Sequence, residues 1–140
     1  MTREEIKEFL PHREPMLLVD ETEINGETSH STFKITGDEF FLKGHFPGYP
    51  VVPGVIICEI MAQSSALLIG EDIKGKTPLY AGLDKVKFKR QVRPGDTICT
   101  DATILARRGP LIVIKGVAKV DGQLCCSAEM TFMLVEKKQD

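Results

Sequence analysis

The stretch GHFPGYPVVPGVIICEIMAQSSALLIG, residues 44–70, determines the fold. Its first part, residues 44–54, contains three glycines and three prolines, which exclude a regular helix or a central strand and predict an ordered loop. Residues 55–69 contain no glycine or proline and predict a helix that ends at Gly70. A helix that is apolar nearly all round is expected to be buried. Only four of its fifteen residues are polar: Glu59, Gln63, Ser64 and Ser65.

The segments on both sides of this helix complete an α+β pattern. Upstream, Thr2 and Glu5 have the spacing of a capping box, which predicts a first helix ending at Pro11, and Asn25-Gly26 predicts the turn of a hairpin. From Leu79 onward, runs of period two separated by turn residues predict antiparallel strands, among them 97–107, 111–120 and a last strand from 124. Because strands and helices do not alternate, we expect one curved antiparallel sheet around the apolar helix. Such a sheet covers one side only, so a second copy of the chain is expected to cover the other.

The composition is that of an ordinary soluble globular protein with a single domain, residues 1–140. Eighteen Lys and Arg against twenty Asp and Glu give a net charge of -2, which predicts no attraction to nucleic acid or to an anionic membrane. The charged N-terminus and the position of Glu59 in the most apolar run predict neither a signal peptide nor a membrane span, so we expect a cytoplasmic protein. The four cysteines lack metal-ligand spacing, and we expect reduced thiols and no metal site.

Glu59 is the unusual residue of the apolar helix. A carboxylate among apolar residues is unfavourable unless it is paired, hydrogen-bonded or neutralised. Gln63 lies one turn further along the same face, where its amide can orient the carboxyl group. A functional acid is one interpretation. The alternative is a carboxylate that turns to a water-filled edge or caps a neighbouring backbone group.

His45 lies in the Pro-rich loop that leads into this helix. A stiff loop holds a side chain in one position, and an imidazole near a carboxylic acid can move protons at neutral pH. The alternative is a hydrogen-bonded structural histidine or a solvent-exposed one. His12 and His30 have no comparable surroundings, and we interpret both as structural.

The start of the helix is a candidate site for a negatively charged oxygen. Because the helix begins after Pro53, the amides of Gly54 and Val55 are unsatisfied donors at its positive end, and Gly54 has no side chain to block a ligand. Such donors stabilise an oxyanion or a polarised carbonyl. The alternative is that proline and glycine serve only the dihedral angles of a helix start.

A base, an acid and an oxyanion site around one apolar helix suit proton abstraction next to a carbonyl, with loss of a leaving group from the next carbon. The sequence contains no nucleophile elbow, phosphate loop or metal cluster. Hydrolysis through an acyl-enzyme, phosphoryl transfer and metal catalysis are therefore disfavoured.

Three stretches of the chain resemble one known family. Residues 44–63, GHFPGYPVVPGVIICEIMAQ, closely resemble the signature of the β-hydroxyacyl-(acyl carrier protein) dehydratases of bacterial fatty acid synthesis, the FabZ type. Residues 10–20, LPHREPMLLVD, are similar to the N-terminal segment of that family, and residues 81–96, AGLDKVKFKRQVRPGD, to its third block. The resemblance implies the hotdog fold, a long helix wrapped by an antiparallel sheet, assembled as a homodimer or a trimer of dimers.

The resemblance also implies a role for each candidate residue. His45 would remove the α proton of a (3R)-3-hydroxyacyl thioester carried on acyl carrier protein, and Glu59, contributed by the other subunit, would protonate the departing hydroxyl. The amide of Gly54, with that of Val55 beside it, would hold the thioester carbonyl, and Gln63 would support Glu59. The products would be a trans-2-enoyl thioester and water, with no cofactor. The acyl chain would lie in an apolar tunnel at the dimer interface.

A cluster of basic residues stands out in this near-neutral chain. Alternation with Val86 and Phe88 predicts a strand with one basic face. Most such runs are solvated strand faces, and edge lysines also discourage aggregation. The resemblance favours docking of an acidic carrier protein instead. The cluster consists of Lys85, Lys87, Lys89, Arg90 and Arg93.

Three other activities remain open on the sequence. Relatives that also isomerise the trans-2 double bond to cis-3 often carry Asp at the acid position, so Glu59 favours the plain dehydratase, although isomerases with Glu exist. Thioester hydrolysis is performed by other hotdog proteins. A non-catalytic module that binds acyl thioesters or carrier protein would use Glu59 only as a polar anchor.

Overall fold

A computed structural model describes residues 1–43 and 48–136. Two short 3-10 segments, Phe40–Leu42 and Leu67–Ile73, accompany the helices and strands. The two helices and six strands of the described residues are α1 (Arg3–Ile6), β1 (Glu21–Asn25), β2 (Thr28–Lys34), α2 (Gly54–Ala66), β3 (Lys76–Phe88), β4 (Thr97–Arg108), β5 (Leu111–Val120) and β6 (Gln123–Glu136).

All six strands form one antiparallel sheet in the order β1-β2-β4-β5-β6-β3. Helix α2 packs against β2, β4, β5 and β6, and its side chains join theirs in one hydrophobic core. This is the hotdog arrangement that the resemblance implied, and the predicted α+β class is confirmed. Strands β1 and β3 form the two edges of the sheet.

Helix α2 is covered more completely by its own chain than the sequence suggested. Every residue from Ile57 to Ala66 except Glu59 is buried. Leu17 and Leu18 of the N-terminal segment belong to the same core and add to the cover that the sheet provides. The expectation that one copy leaves a whole side of the helix bare is therefore wrong for these turns. Only the first turn stays open, where Val55 is 75% exposed.

The apolar segment that contains α2 is a core helix. The α-helix ends at Ala66, three residues before the predicted end, and continues as 3-10 turns to Ile73. Gly70 has the positive φ that glycine favours, 69°, but its ψ of -140° is not that of a left-handed cap, and it produces a kink within the 3-10 segment. By length and composition Gly54–Ile73 is apolar enough to span a membrane, but 67% of its most apolar window is buried inside this fold.

The local turn signals are confirmed to within one residue. Asp121 and Gly122 both have positive φ, 50° and 76°, as a tight two-residue hairpin between β5 and β6 requires. The first hairpin turns at Gly26 and Glu27, one residue later than predicted, because Asn25 ends the polar strand Glu21–Asn25 and pairs with Thr28. The capping box of Thr2 and Glu5 is present, but α1 ends at Ile6, before the predicted end at Pro11, and residues 7–9 form turns.

Strand β3 departs from the regular alternation that its sequence predicts. One irregularity lies between Tyr80 and Gly82 and another between Asp84 and Lys87, where Lys85 has a positive φ of 52°. Each inserts one extra residue opposite β6. As a result Tyr80 and Leu83 pair with Phe132 and Met130, whose side chains are buried on one face of β6, although Tyr80 and Leu83 are three residues apart.

Candidate active site

Two amides in the first turn of α2 have no hydrogen-bond partner among the residues that the structure describes. Pro53 begins the helix with its carbonyl, which accepts from the amides of Ile56 at 2.9 Å and Ile57 at 3.2 Å. Within the described residues, the amides of Gly54 and Val55 donate to nothing. A Cβ atom on Gly54 would lie 2.9 Å from Cε1 of Phe88, so glycine allows the strand to approach the helix start. The predicted donor pair is thus open to a ligand.

Gln63 is a buried clamp between the helix and the N-terminal segment. Its side chain is 1% exposed and makes three hydrogen bonds. Oε1 accepts from the amide of Leu18 at 2.7 Å, while Nε2 donates to the carbonyl of Met16 at 2.7 Å and to Oε2 of Glu59 at 3.1 Å. The amide orientation is therefore fixed by two backbone groups, and the remaining donor is aimed at the carboxylate, as the i, i+4 spacing predicted.

Glu59 lies at the boundary between the core and an open cavity. Its side chain is 25% exposed. One wall of the cavity is α2 and the other is β3, and the volume is about 430 Å³. The lining is largely apolar, so a carboxyl group held by Gln63 faces a space suited to an apolar ligand. The lining residues are Val55, Cys58, Glu59, Tyr80, Ala81, Gly82 and Leu83.

His12 is a neighbour of Glu59 that sequence reasoning missed. Its Nε2 lies 3.8 Å from Oε2 of Glu59, and its buried Nδ1 has no hydrogen-bond partner in the described part of the chain. Burial lowers the pKa of His12, with the Glu59 carboxylate opposing this shift and Arg13 adding to it. No local signal marks this contact, because residues 12 and 59 meet only when Gln63 binds the segment from Met16 to Leu18.

Tyr80 closes the site on the β3 side. Its hydroxyl donates to the carbonyl of Cys58 at 2.9 Å, and its ring lies against Phe132 with 5.3 Å between centroids. Burial raises the pKa of Tyr80, and the nearby Glu59 and Cys58 raise it further. The neutral phenol is therefore a stable donor to the helix.

His45 and its neighbours Gly44, Phe46 and Pro47 lie outside the described residues, so its predicted role stays a prediction. The chain just after them is anchored. The hydroxyl of Tyr49 donates to Oε1 of Gln91 at 2.8 Å, the guanidinium of Arg93 lies 4.8 Å from the centre of the Tyr49 ring, and the amide of Val52 donates to the carbonyl of Val92 at 2.8 Å.

Three of the five basic residues that the sequence grouped together have polar or ring partners within the chain. Lys85 pairs with Glu129 at 3.1 Å, Arg90 donates to the carbonyl of Val120 at 3.0 Å, and Arg93 is held against Tyr49. Lys87 and Lys89 have no ion pair within residues 1–43 and 48–136. Since β3 ends at Phe88 and is irregular at Lys85, the five residues do not form one regular strand face.

The cysteines and His30 lie outside this site or line it without an ion pair to Glu59 among the described residues. All four cysteines are free thiols, as expected. His30 pairs with Asp101 at 2.8 Å on the surface of the sheet. Over the described ranges, no three His, Cys, Asp or Glu side chains are grouped in a way that could hold a metal ion.

Comparison with solved structures supports the fold. A dehydratase heterocomplex from Xenorhabdus doucetiae superposes with a TM-score of 0.80 at 16% identity, covering 96% of this chain and 91% of that one. A hypothetical thioesterase with coenzyme A from Streptococcus pneumoniae superposes with a TM-score of 0.65 at 13% identity, covering 85% and 88%. At these identities the similarity extends to the fold alone.

Sequence comparison goes further. Residues 10–129 match the model of the FabA-like domain. A protein named 3-hydroxyacyl-[acyl-carrier-protein] dehydratase FabZ from Clostridium perfringens is 50% identical over 137 residues, 96% of this chain and 99% of the relative. A protein of the same name from Streptococcus pneumoniae is 48% identical, and the alignment covers 94% of this chain and 96% of the relative. Another from Bacillus velezensis is 47% identical, with 95% of this chain and 97% of the relative covered. The chain therefore belongs to the FabZ-type 3-hydroxyacyl-[acyl-carrier-protein] dehydratases, within the FabA-like family.

Proposed function

We propose that this chain converts (3R)-3-hydroxyacyl chains carried on acyl carrier protein into trans-2-enoyl chains, with Glu59 and His45 as the proton-transfer residues. Membership of the family makes the chain a hydro-lyase of fatty acid biosynthesis. The observation that supports the role of Glu59 is its position: the buried amide of Gln63 holds the carboxyl group at the wall of an apolar cavity, on the helix that also presents the open amides of Gly54 and Val55.

The chemistry follows from these groups. The Gly54 and Val55 amides polarise the thioester carbonyl and stabilise the enolate oxygen that forms when the α proton leaves. His45 takes that proton, and the electron pair forms the C2–C3 double bond as the C3–O bond breaks. Glu59 acts as the general acid and gives a proton to the departing hydroxyl, which leaves as water. One proton has moved to His45 and one has left Glu59, so a proton transfer between them resets the site.

A second copy of the chain is proposed to complete this site. Strand β3 is an edge strand with a row of exposed apolar side chains, and an edge of this kind favours pairing with another strand. We propose a homodimer that pairs along β3 and places His45 of one copy near Glu59 of the other. A trimer of such dimers is the larger assembly that we expect. The exposed residues are Leu79, Tyr80, Leu83 and Phe88, with Val55 of α2 beside them.

The dimer proposal is tested by the oligomeric state. Leu83→Glu places a charge on the proposed interface and is expected to give monomers in analytical ultracentrifugation. Leu105→Glu is the matched control, since Leu105 is similarly exposed on β4, away from the β3 edge. Dimers that persist in Leu83→Glu at micromolar concentration would contradict this interface.

Docking of acyl carrier protein is proposed at the end of β3. Lys89 lines an open cavity of about 360 Å³ that reaches Gly54 and Phe88. An acidic carrier protein bound there would direct its thioester toward the Gly54 amide, and the free side chain of Lys87 adds positive charge nearby. The enzyme would work in the cytoplasm on carrier-bound chains.

The activity is tested with purified protein and a crotonyl or 3-hydroxyacyl thioester, by following the conjugated enoyl absorbance. Glu59→Gln keeps the shape of the side chain and is expected to lower kcat by about 100-fold or more, because it removes the general acid. Glu23→Gln, an exposed change on β1, is the control. Full activity of a folded Glu59→Gln variant would refute the role of Glu59.

The same samples distinguish the other activities. Release of free thiol from the thioester would indicate hydrolysis, and cis-3 product would indicate isomerisation. Binding of the thioester without any turnover would indicate a carrier or acyl-binding module.

A further inference from the structure

Arg3, at the start of helix α1, is hydrogen-bonded along the segment that leads into β1. Its guanidinium donates to two backbone carbonyls, from Nη2 to that of Leu17 at 2.7 Å and from Nη1 to that of Val19 at 3.2 Å. It also donates to two carboxylates, from Nε to Glu14 and from Nη1 to Asp20, each at 2.9 Å. Because a guanidinium has its N–H donors in a fixed plane, one side chain can make all of these bonds at once.

The backbone of residues 16–19 is held from two sides. Gln63 bonds backbone groups of Met16 and Leu18. Arg3 bonds the carbonyl of the residue that follows each of them. This alternation is the one that an extended chain produces, because its successive carbonyls point to opposite sides. Arg3 and Gln63 are thus opposite clamps on one stretch of backbone.

The position of this segment determines how Gln63 meets Glu59. The buried Gln63 amide takes its orientation from Met16 and Leu18. Its remaining donor lies 3.1 Å from Oε2 of Glu59, so a shift of the segment moves that donor as well. Because a misplacement of about 1 Å can slow a positioned reaction by roughly a hundredfold, small shifts of the segment matter at the carboxyl group.

We propose that Arg3 is a positioning residue, which holds Glu59 in its productive orientation through residues 16–19 and the amide of Gln63. The proposal rests on the proposed function, in which Glu59 is the general acid. Arg3 does not line the cavity beside Glu59, so we expect it to take no part in binding substrate. Its loss is therefore expected to lower kcat and to leave KM within about twofold of the native value.

The test measures dehydration of a 3-hydroxyacyl thioester, after urea denaturation has shown that each variant is folded. Arg3→Met removes every donor, and we expect kcat to fall by about fivefold, because the segment then keeps only its bonds to Gln63 on the side of the site. Arg3→Lys keeps the charge but has a single nitrogen, which cannot reach both carbonyls, so we expect a fall of about threefold. Lys7→Met is the matched control. Lys7 also pairs with Glu14, at 3.2 Å, but within the described residues it bonds no backbone group of residues 16–19, so we expect native kcat.

A double-mutant cycle with Gln63→Leu tests whether Arg3 acts through Gln63. In the Gln63→Leu background, Arg3→Met is expected to lower kcat by less than about twofold, since the route to Glu59 is already broken. A loss of about fivefold in both backgrounds would overturn the proposal, because Arg3 would then act by another route. Native kcat in folded Arg3→Met or Arg3→Lys would overturn it too, and so would a loss confined to KM. If the native protein dehydrates no substrate, or Glu59→Gln is fully active, the proposed function fails instead, and the two failures are thereby distinguished.

Discussion

Replacement of Gln63 by leucine is expected to damage both the fold and the site. The leucine side chain is one atom shorter and has no polar atom, so it cannot bond the amide of Leu18 or the carbonyl of Met16. An unsatisfied buried backbone group costs about 1–3 kcal/mol. The bond to Leu18 is fully buried and the one to Met16 is partly buried, so we expect a total loss of about 2–4 kcal/mol. For a chain of this size that corresponds to a fall in Tm of roughly 6–12 °C.

The catalytic part of the prediction concerns Glu59. Without the donor at 3.1 Å, its carboxyl group is free to leave the productive orientation. We expect kcat to fall by roughly ten- to a hundredfold, with a smaller change in KM, because the lost contact positions a proton donor and does not bind substrate.

Urea denaturation and enoyl absorbance measure the two effects on the same preparation. Ser64→Ala is the matched control: Ser64 is the next residue and equally buried, but its hydroxyl donates only to the carbonyl of Ile60 inside the same helix. We expect it to lose less than about 1 kcal/mol and to keep full activity. If Gln63→Leu is no less stable than Ser64→Ala, the clamp between α2 and the N-terminal segment does not have the energetic role described here. If it is unstable but fully active, Gln63 does not position Glu59.

Three further predictions test other parts of the molecule. Gly54→Ala puts a Cβ atom 2.9 Å from the Phe88 ring, but Phe88 is 54% exposed and can turn away, so we expect little loss of stability. Because the methyl group crowds the carbonyl site, we expect kcat/KM to fall by about tenfold or more. An unchanged kcat/KM would contradict the oxyanion role. Lys89→Glu is expected to raise KM for carrier-bound substrate, an effect that weakens at high salt, and to leave KM for a small free thioester unchanged; equal effects on both substrates would contradict docking. The hydrogen bond from Arg3 lowers the pKa of Glu14 from 4.5 to about 2, so its stabilising contribution is present above about pH 4.5 and is lost as the pH falls toward 2. The stability difference between native protein and Glu14→Gln in urea titrations is therefore expected to be smaller at pH 3 than at pH 6, and a difference independent of pH would refute this assignment.

The sequence predicts those parts of the fold that depend on neighbouring residues. Strand β5 has the predicted bounds and the Asp121-Gly122 turn is confirmed, because periodicity and positive-φ residues act locally. The pairing of Gln63 with Glu59 was also accessible, since it follows from helical spacing. The contacts of Gln63 with Met16 and Leu18 were not, because they join segments more than 40 residues apart, and the proximity of His12 to Glu59 was missed for the same reason.

Strand β3 shows where alternation alone is insufficient. Lys85, Val86, Lys87 and Phe88 alternate in sequence as a regular strand would, yet an irregularity interrupts the pairing with β6 between Asp84 and Lys87. A bulge depends on how the partner strand and the facing helix fit, and neither is visible in the local pattern. The consequence for the site is direct, because the other bulge of this strand directs Tyr80 toward the helix.

Helix α2 is buried by its own chain along most of its length and exposed at its first turn, where the proposed dimer interface lies. Its own chain buries the helix from Ile57 to Ala66, apart from Glu59, so we expect the core of each chain to fold without a second copy. The first turn and the neighbouring edge of β3 remain exposed, and the candidate oxyanion donors and the Glu59 cavity lie there. The outer side of β3 has no neighbouring strand among the described residues of its own chain, so its backbone N–H and C=O groups and its apolar side chains are exposed there. These exposed groups lie beside the proposed catalytic groups. The proposed dimerisation surface and the proposed substrate-binding surface thus coincide, and we expect substitutions on the β3 edge to affect assembly and turnover together while leaving the core of each chain folded.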